Sequence, residues 1–363
     1  MIFSQKKDID TTSLSITQKR WMKFKSMKRG YYSLIIIIFL YAISWVLPIL
    51  VNNKAIIVSY NNKIHFPAFH DFSLIPDKIF LGNDFGQDKP GEADYIKLQR
   101  RWKNDNSDNW LIMPLYPHNP LSDINAGNKM FEAPFGQGNH ILGTDDTGRD
   151  VFSRLLYAFN ISITFALILT VLNYLIGISI GGSMGYFGGK FDLFFQRIIE
   201  IWSTLPLLFV IIIIASIVRP TFAVLIGIYL LVNWIGMTYL MRAEFYREKS
   251  KDYVAAAISM GQNNKTIIFK HILPNSLVPI ITYFPFSIIA GIGALVSLDY
   301  LGFGMPPPTP SWGQMLDVGL QNISKWWMVF APVGAQFITL LLIVFIGEGI
   351  REAFDPKVHS RLR

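Results

Sequence analysis

Residues 157–181 read YAFNISITFALILTVLNYLIGISIG, twenty-five positions without one charged side chain. A membrane helix needs about 20 mostly apolar residues to cross a hydrocarbon core about 30 Å thick. This run meets that requirement, so it predicts a transmembrane helix. Its two amides, Asn160 and Asn173, are expected to bond to neighbouring helices, as polar side chains within spans do.

The same pattern recurs on both sides. Segments 31–51, 198–218, 222–241, 277–298 and 328–349 also qualify, giving six spans and an all-α membrane fold. Pro279 and Pro285 interrupt the fifth span and Pro206 the third. Membrane helices tolerate proline where neighbours satisfy the freed carbonyls, so kinks are expected there. Composition agrees: 51% of the 363 residues are apolar and only 16% charged, against about 25% charged in soluble domains. The chain has no cysteine, which excludes disulfides, thiolate metal sites and cysteine nucleophiles. A polar stretch of 30 residues precedes the first apolar run. That is too long for the basic region of a cleaved signal, so the run is expected to be retained.

The net charge of +8 raises the question of nucleic acid, and the distribution of the charges answers it. With both termini inside, the inner side carries twenty Lys and Arg, while the two short outer loops carry only Arg219 and Lys325. This is the asymmetry of a protein with cytoplasmic termini. The organisation that follows is a basic segment 1–30, a first span 31–51, an extracytoplasmic insertion 52–156, a five-span core 157–349 containing the inner loop 242–275, and a tail 350–363. The insertion has eleven basic and thirteen acidic residues. Alternation at 56–60 and 63–66 predicts short strands around a small core. Residues 19–29, with Trp21 and Phe24 among the basic residues, predict an amphipathic helix on an anionic leaflet. Trp326 and Trp327 are read as interfacial anchors, and the prolines at 306–308 and 310 as a stiff polyproline II connector.

Enzyme motifs fail in their context. Gly181-Gly182-Ser183-Met184-Gly185 fits G-x-S-x-G, but that chemistry needs a strand–turn–helix elbow, a base and an oxyanion hole. Small residues packing a membrane helix account for it. Gly189-Lys190 is followed by Phe191, so there is no Walker A loop. Arg197 and Glu200 lie at helical spacing and predict an interfacial ion pair. The spans lack the chain of carboxylates of a proton-driven carrier and the inverted repeats of a secondary transporter.

The inner loop is the most informative stretch. Residues 251–275 read KDYVAAAISMGQNNKTIIFKHILPN. Asp252 is a candidate N-cap for a helix over 253–260, and Gly261 for a left-handed stop. Asn263 or Asn264 would cap a second helix, 265–273, ending before Pro274. The alanines with Gly261 would make one side of the first helix flat.

This loop resembles the EAA loop of ABC-importer permeases. Ala256, Ala257, Gly261, Leu273 and Pro274 fall at the family spacings, with Ala255 in the glutamate position and His271 in the isoleucine position. The departures, together with Asp252-Tyr253 before the alanines and Asn275 after the proline, resemble the dipeptide/oligopeptide/nickel C-subunit branch. So do three further blocks. Residues 140–154, HILGTDDTGRDVFSR, carry Gly143, Thr144, Asp145, Gly148, Arg149, Asp150 and Arg154. Residues 185–192 read GYFGGKFD, and the loop after Leu298 precedes a tail EAFDPK. Pieces of the insertion (57–69, Phe85, 93–95, 110–117) are similar to Yej-type permeases, which serve an oligopeptide and microcin C importer. The resemblance implies a type I importer fold in a bacterial inner membrane. It also implies a second homologous permease, an ABC ATPase with two nucleotide-binding domains that alone holds ATP and Mg, and an extracytoplasmic peptide-binding protein. This chain is then expected to bind no cofactor and to couple to the ATPase through 252–275.

Overall fold

The computed structural model describes residues 15–72, 80–88, 91–105, 107–124 and 127–355. The first 14 residues of the basic segment, and the tail from Pro356 with the last two positions of its EAFDPK motif, lie outside them.

Helix α1 (Ile16–Ser26) starts at a capping box in which Ser15 and Gln18 exchange side-chain and backbone bonds. It turns 92° into α2 (Lys28–Ser44). Gly30 lets α2 press directly on the last helix, α13 (Trp326–Phe354). A Cβ on Gly30 would lie 2.9 Å from the Phe345 carbonyl oxygen. The first span was expected to reach residue 51, but α2 stops at Ser44 and a short α3 (Leu47–Leu50) follows. Pro48 is the reason: its ring would clash with the Ser44 carbonyl in a continuous helix.

The insertion is a small folded body. Strands β1 (Ile57–Tyr60), β2 (Lys63–His65) and β3 (Trp110–Ile112) form an antiparallel sheet in the order β2-β1-β3. Asn61 and Asn62 both take positive φ (49° and 60°) between β1 and β2, as a two-residue hairpin turn requires. Helix α4 (Tyr95–Asn104) packs Tyr95, Leu98 and Trp102 with Val58, Phe80, Phe85 and Leu111.

The core begins with α5 (Val151–Phe187) packed along α8 (Phe222–Lys249). Gly181 explains the closeness, since a Cβ there would meet the Thr238 carbonyl oxygen at 2.2 Å. Small residues permit such backbone approach in membrane helices. Ser183 belongs to this helix, and its hydroxyl donates to the Ser179 carbonyl at 2.7 Å. It is not on a strand–turn–helix elbow. Asn160 donates to Ser44 Oγ at 2.8 Å, the interhelical bond expected of it.

The third span is broken rather than kinked. Helices α6 (Gly189–Ser203) and α7 (Leu207–Ile217) meet at 71° around Pro206. With 11 residues, α7 extends only about 16 Å and cannot cross alone. Helix α9 (Asp252–Ser259), a turn α10 (Asn264–Thr266), a π turn (Ile267–Ile272) and α11 (Leu273–Tyr300) follow, then α12 (Trp312–Gln321) and α13. Among the described residues, four helices are each long and apolar enough to cross a membrane, or up to six spans if each bent pair counts as one.

Candidate functional site

Two knots of polar residues sit at opposite ends of the helices. At the basic end, α9 is fastened to the bundle by its neighbours' side chains. Tyr253 donates its hydroxyl to Glu248 Oε2 at 2.8 Å, and Lys251 Nζ donates to Glu248 Oε1 at 2.7 Å. Asn275 donates to the Tyr253 hydroxyl at 3.3 Å and to the His271 carbonyl at 2.8 Å. His271 Nε2 pairs with Gln262 Oε1 at 2.7 Å, and Tyr186 donates to Asn264 Oδ1 at 2.7 Å. Burial, then the Glu248 carboxylate, pushes the Tyr253 phenol above its ordinary value, so it remains a donor. Beside this knot Arg242 grips Asp192 with Nε and Nη2 at 2.6 and 2.7 Å, binding α6 to α8.

Val254 and Ala257 are buried with Ile267, Ile272, Met241 and Phe245 in one apolar cluster. Elsewhere on α9, Ala256 and Ile258 are exposed, and Met260 at its C-cap and Phe269 in the π turn more so, at 70% and 67%. The flat side expected of the alanines is therefore divided: Ala257 faces its own bundle and Ala256 faces out. Gly261 has φ +73° and open space around it, so it ends the helix by conformation rather than by close packing. Asp252 does not cap α9. It is the first helical residue, and Lys251 holds the cap position without a side-chain bond. Asn263 does cap the next turn, accepting from the Thr266 amide at 2.8 Å.

That second helix does not end before Pro274. The chain passes through the π turn into α11 with Leu273 and Pro274 in its first turn. Proline is tolerated in a first turn, where its amide would be unpaired. The wider π turn falls where an α-helix would set the Lys270 carbonyl against the ring. The segment is thus a rigid elbow continuous with a long membrane helix.

At the insertion end the 140–154 motif forms a buried bracket at the start of α5. Asp150 Oδ1 accepts from the Ser153 amide at 2.6 Å, capping the helix. Its Oδ2 meets the Tyr116 hydroxyl at 2.7 Å and His140 Nδ1 at 2.8 Å. Burial opposes ionisation, but these three bonds outweigh it and hold Asp150 below the usual carboxylate range. Asp145 Oδ1 accepts from the amides of Thr147 and Arg149 and from the Thr147 hydroxyl. Arg154 Nε stands 3.6 Å from Asp145 Oδ2, and its Nη1 reaches the Pro308 carbonyl at 3.2 Å. Gly143 and Gly148 take positive φ (70° and 83°), and a Cβ on Gly143 would strike the Glu132 carbonyl oxygen at 2.2 Å. Thr144 accepts from the Glu132 amide and donates to the Lys129 carbonyl. Its own carbonyl accepts from Trp327 Nε1 at 3.3 Å. Trp327 is therefore a buried bolt in this bracket; Trp326 beside it is exposed.

His118, His140 and Asp150 bring ligand atoms within 4.8 Å of one another, and they are the only such group among the described residues. The Asp150 carboxylate is already filled by Tyr116, His140 and Ser153. The arrangement is a hydrogen-bonded joint between insertion and core. Glu248, Tyr186 and Gln262 are members of the basic-end knot that sequence reasoning did not single out. Only Glu248 left a trace, its three-residue spacing from Lys251.

Comparison with known proteins supplies the family. The family model for binding-protein-dependent transport system inner membrane components matches residues 175–360. The peptidoglycan transport system permease protein YejE of Agrobacterium fabrum is 38% identical over 369 residues, covering 95% of this chain and 94% of the relative. The inner membrane ABC transporter permease protein YejE of Escherichia coli is 38% identical over 344 residues, with 94% and 97% covered. The dipeptide transport system permease protein DppC of Bacillus subtilis is 36% identical over 307 residues, with 78% and 94% covered. With that coverage, the chain belongs to the binding-protein-dependent transport system inner membrane component family, as an ABC-transporter permease of the Yej and dipeptide/oligopeptide type.

Proposed function

We propose that this permease forms half of a peptide pathway through a bacterial inner membrane and is driven by a separate ATPase. The observation that carries the reading is the fastened α9, with Ala256, Ile258 and Met260 left exposed on it and Phe269 exposed in the π turn that follows. Exposed apolar side chains on a short fastened helix are suited to a groove in another protein. After the break at Gly261 the backbone runs from Asn264 through the π turn into α11, and Tyr253–Asn275 and Gln262–His271 tie α9 to that run, so displacement of α9 moves a membrane helix. The basic end is then cytoplasmic, with both termini, and the insertion is extracytoplasmic. A second, homologous permease completes the pathway, and a binding protein delivers cargo at the insertion side.

The relatives' names attach to dipeptides, oligopeptides and peptidoglycan. Their common chemistry is the peptide bond, so the cargo is a short peptide or a peptide conjugate of the microcin C kind. The test is ATP-dependent peptide uptake by the reconstituted permease pair, ATPase and binding protein. Ala256→Arg leaves the fold intact because the position is exposed. It should abolish both uptake and the stimulation of ATP hydrolysis by cargo. Normal values of both in that variant, or uptake by the purified chain without ATP, would refute the reading.

A further inference from the structure

A cavity of about 390 Å³ lies among α5, α8 and α11. Its walls include Asn173 and Tyr174 from α5, Asn233 and Met237 from α8, and Tyr283 and Ser287 from α11. Each falls in the middle part of its helix, so the cavity sits near the centre of the bilayer rather than at either surface. Its volume is within the range of small-molecule sites.

Three observations say what it is for. First, no wall residue carries a charge at neutral pH, yet the walls are rich in amides and hydroxyls. Second, Asn173 is nine-tenths buried and its Oδ1 has no hydrogen-bond partner. A buried unpaired acceptor costs about 1–3 kcal/mol, and a group that binds there would relieve that cost. Third, Asn233, Gly236, Tyr283 and Ala290 are exposed around the mouth. A polar mouth at this depth is disfavoured against lipid tails and fits a protein-enclosed aqueous route.

We propose that this cavity is a transit site for the peptide backbone, resting on the peptide-permease reading above. Asn173 Oδ1 accepts from a backbone N–H, while the Asn233 amide and the exposed Tyr283 hydroxyl serve backbone carbonyls and amides; the Tyr174 and Ser287 hydroxyls already pair with each other across the wall at 2.7 Å. Because the walls are neutral, the site grips what every peptide shares and is indifferent to the charge of its side chains. The cavity is also wired to the basic end. Tyr174 and Met237 line it and pack in the same apolar cluster as Val254 and Ala257 of α9. A displaced coupling helix therefore changes the walls, closing the site in one state and opening it in another.

The experiment uses the complete complex in liposomes with neutral, acidic and basic tripeptides as cargo. Asn173→Leu, close in size but without donor or acceptor, should lower uptake of all three about tenfold, as loss of one to two well-formed hydrogen bonds implies. Asn233→Asp should lower uptake of the acidic peptide at least about fivefold relative to the basic one, by placing a like charge in its path. If the wild-type complex transports peptides while both variants match it for every cargo, the cavity is off the route and the proposal falls alone. If the wild-type complex moves no peptide with ATP, the peptide reading falls and the proposal with it. Should Asn173→Leu fail to co-purify with its partners, the charge selectivity of Asn233→Asp decides, since that position is exposed and tolerant.

Discussion

The two polar knots use nearly the same parts to opposite ends. In each, a tyrosine hydroxyl donates to a carboxylate that also holds a basic group: Tyr253 with Glu248 and Lys251, and Tyr116 with Asp150 and His140. The difference lies in what surrounds them. Asp150 is fully buried, and Trp327, Arg154 and the Glu132 segment close over its bracket. Around Glu248 only the carboxylate is covered, and the outer side of α9 keeps Ile258 and Met260 in the open. Burial on all sides makes a joint; burial on one side makes a mount that presents the other. On this account the insertion end carries the architecture and the basic end carries the conversation with a partner.

The largest effect should come from forcing the joint. Gly143→Val combines a positive φ with a backbone oxygen 2.2 Å from the new Cβ. The strain and overpacking together should cost about 3 kcal/mol or more, and little folded protein should survive a detergent melt. A normal melting temperature would show that the bracket is soft and the contrast false. A smaller, local effect should follow from unfastening the mount. Tyr253→Phe removes the bond to Glu248 and the longer one from Asn275 at a partly exposed site, together about 1 kcal/mol. Amides of α9 should exchange up to about fivefold faster while the global melt barely moves. A large fall in melting temperature would mean that this end, too, is architecture.

The smallest effect is a pH dependence confined to the joint. Burial, the largest influence, holds His118 below its ordinary value of 6.5, so the folded state favours the neutral ring. That contribution is complete above pH 6.5 and is lost as the pH falls toward the lowered folded value. The Asp150 contribution has the same sign but fades only below its ordinary 3.8. Between pH 7 and 5.5 the Ile141 amide, which donates to Tyr116, should lose protection modestly, and His118→Gln should flatten the change. Equal loss at α9 would remove the assignment to the joint.

Much of this was legible in the chain itself. Runs of about twenty apolar residues carry the membrane class because the bilayer imposes their length. Gly261 and Asn263 announced the end of α9 and the next cap, since both roles rest on local backbone chemistry. What stayed hidden depends on distant partners or on alternatives the local rules leave open. Pro274 reads as a stop, yet a π turn carries the helix through it. Pro206 reads as a kink, yet the chain turns by 71°. Trp327 looks like a membrane anchor until the Thr144 carbonyl, 183 residues away, is placed against its indole. The midplane cavity needs three helices to exist at all.

The central claim is that the tip of α9 seats in an ATPase. The chain has no cysteine, so Ile258→Cys supplies a single thiol on that tip. Its labelling rate with a polar maleimide should be compared in the isolated permease and in the assembled complex, with Leu115→Cys on the insertion as the exposed reference. The account predicts that assembly slows Ile258→Cys by about tenfold, as enclosure in a desolvated contact implies, and leaves Leu115→Cys unchanged. Equal rates at Ile258→Cys in both samples would contradict it.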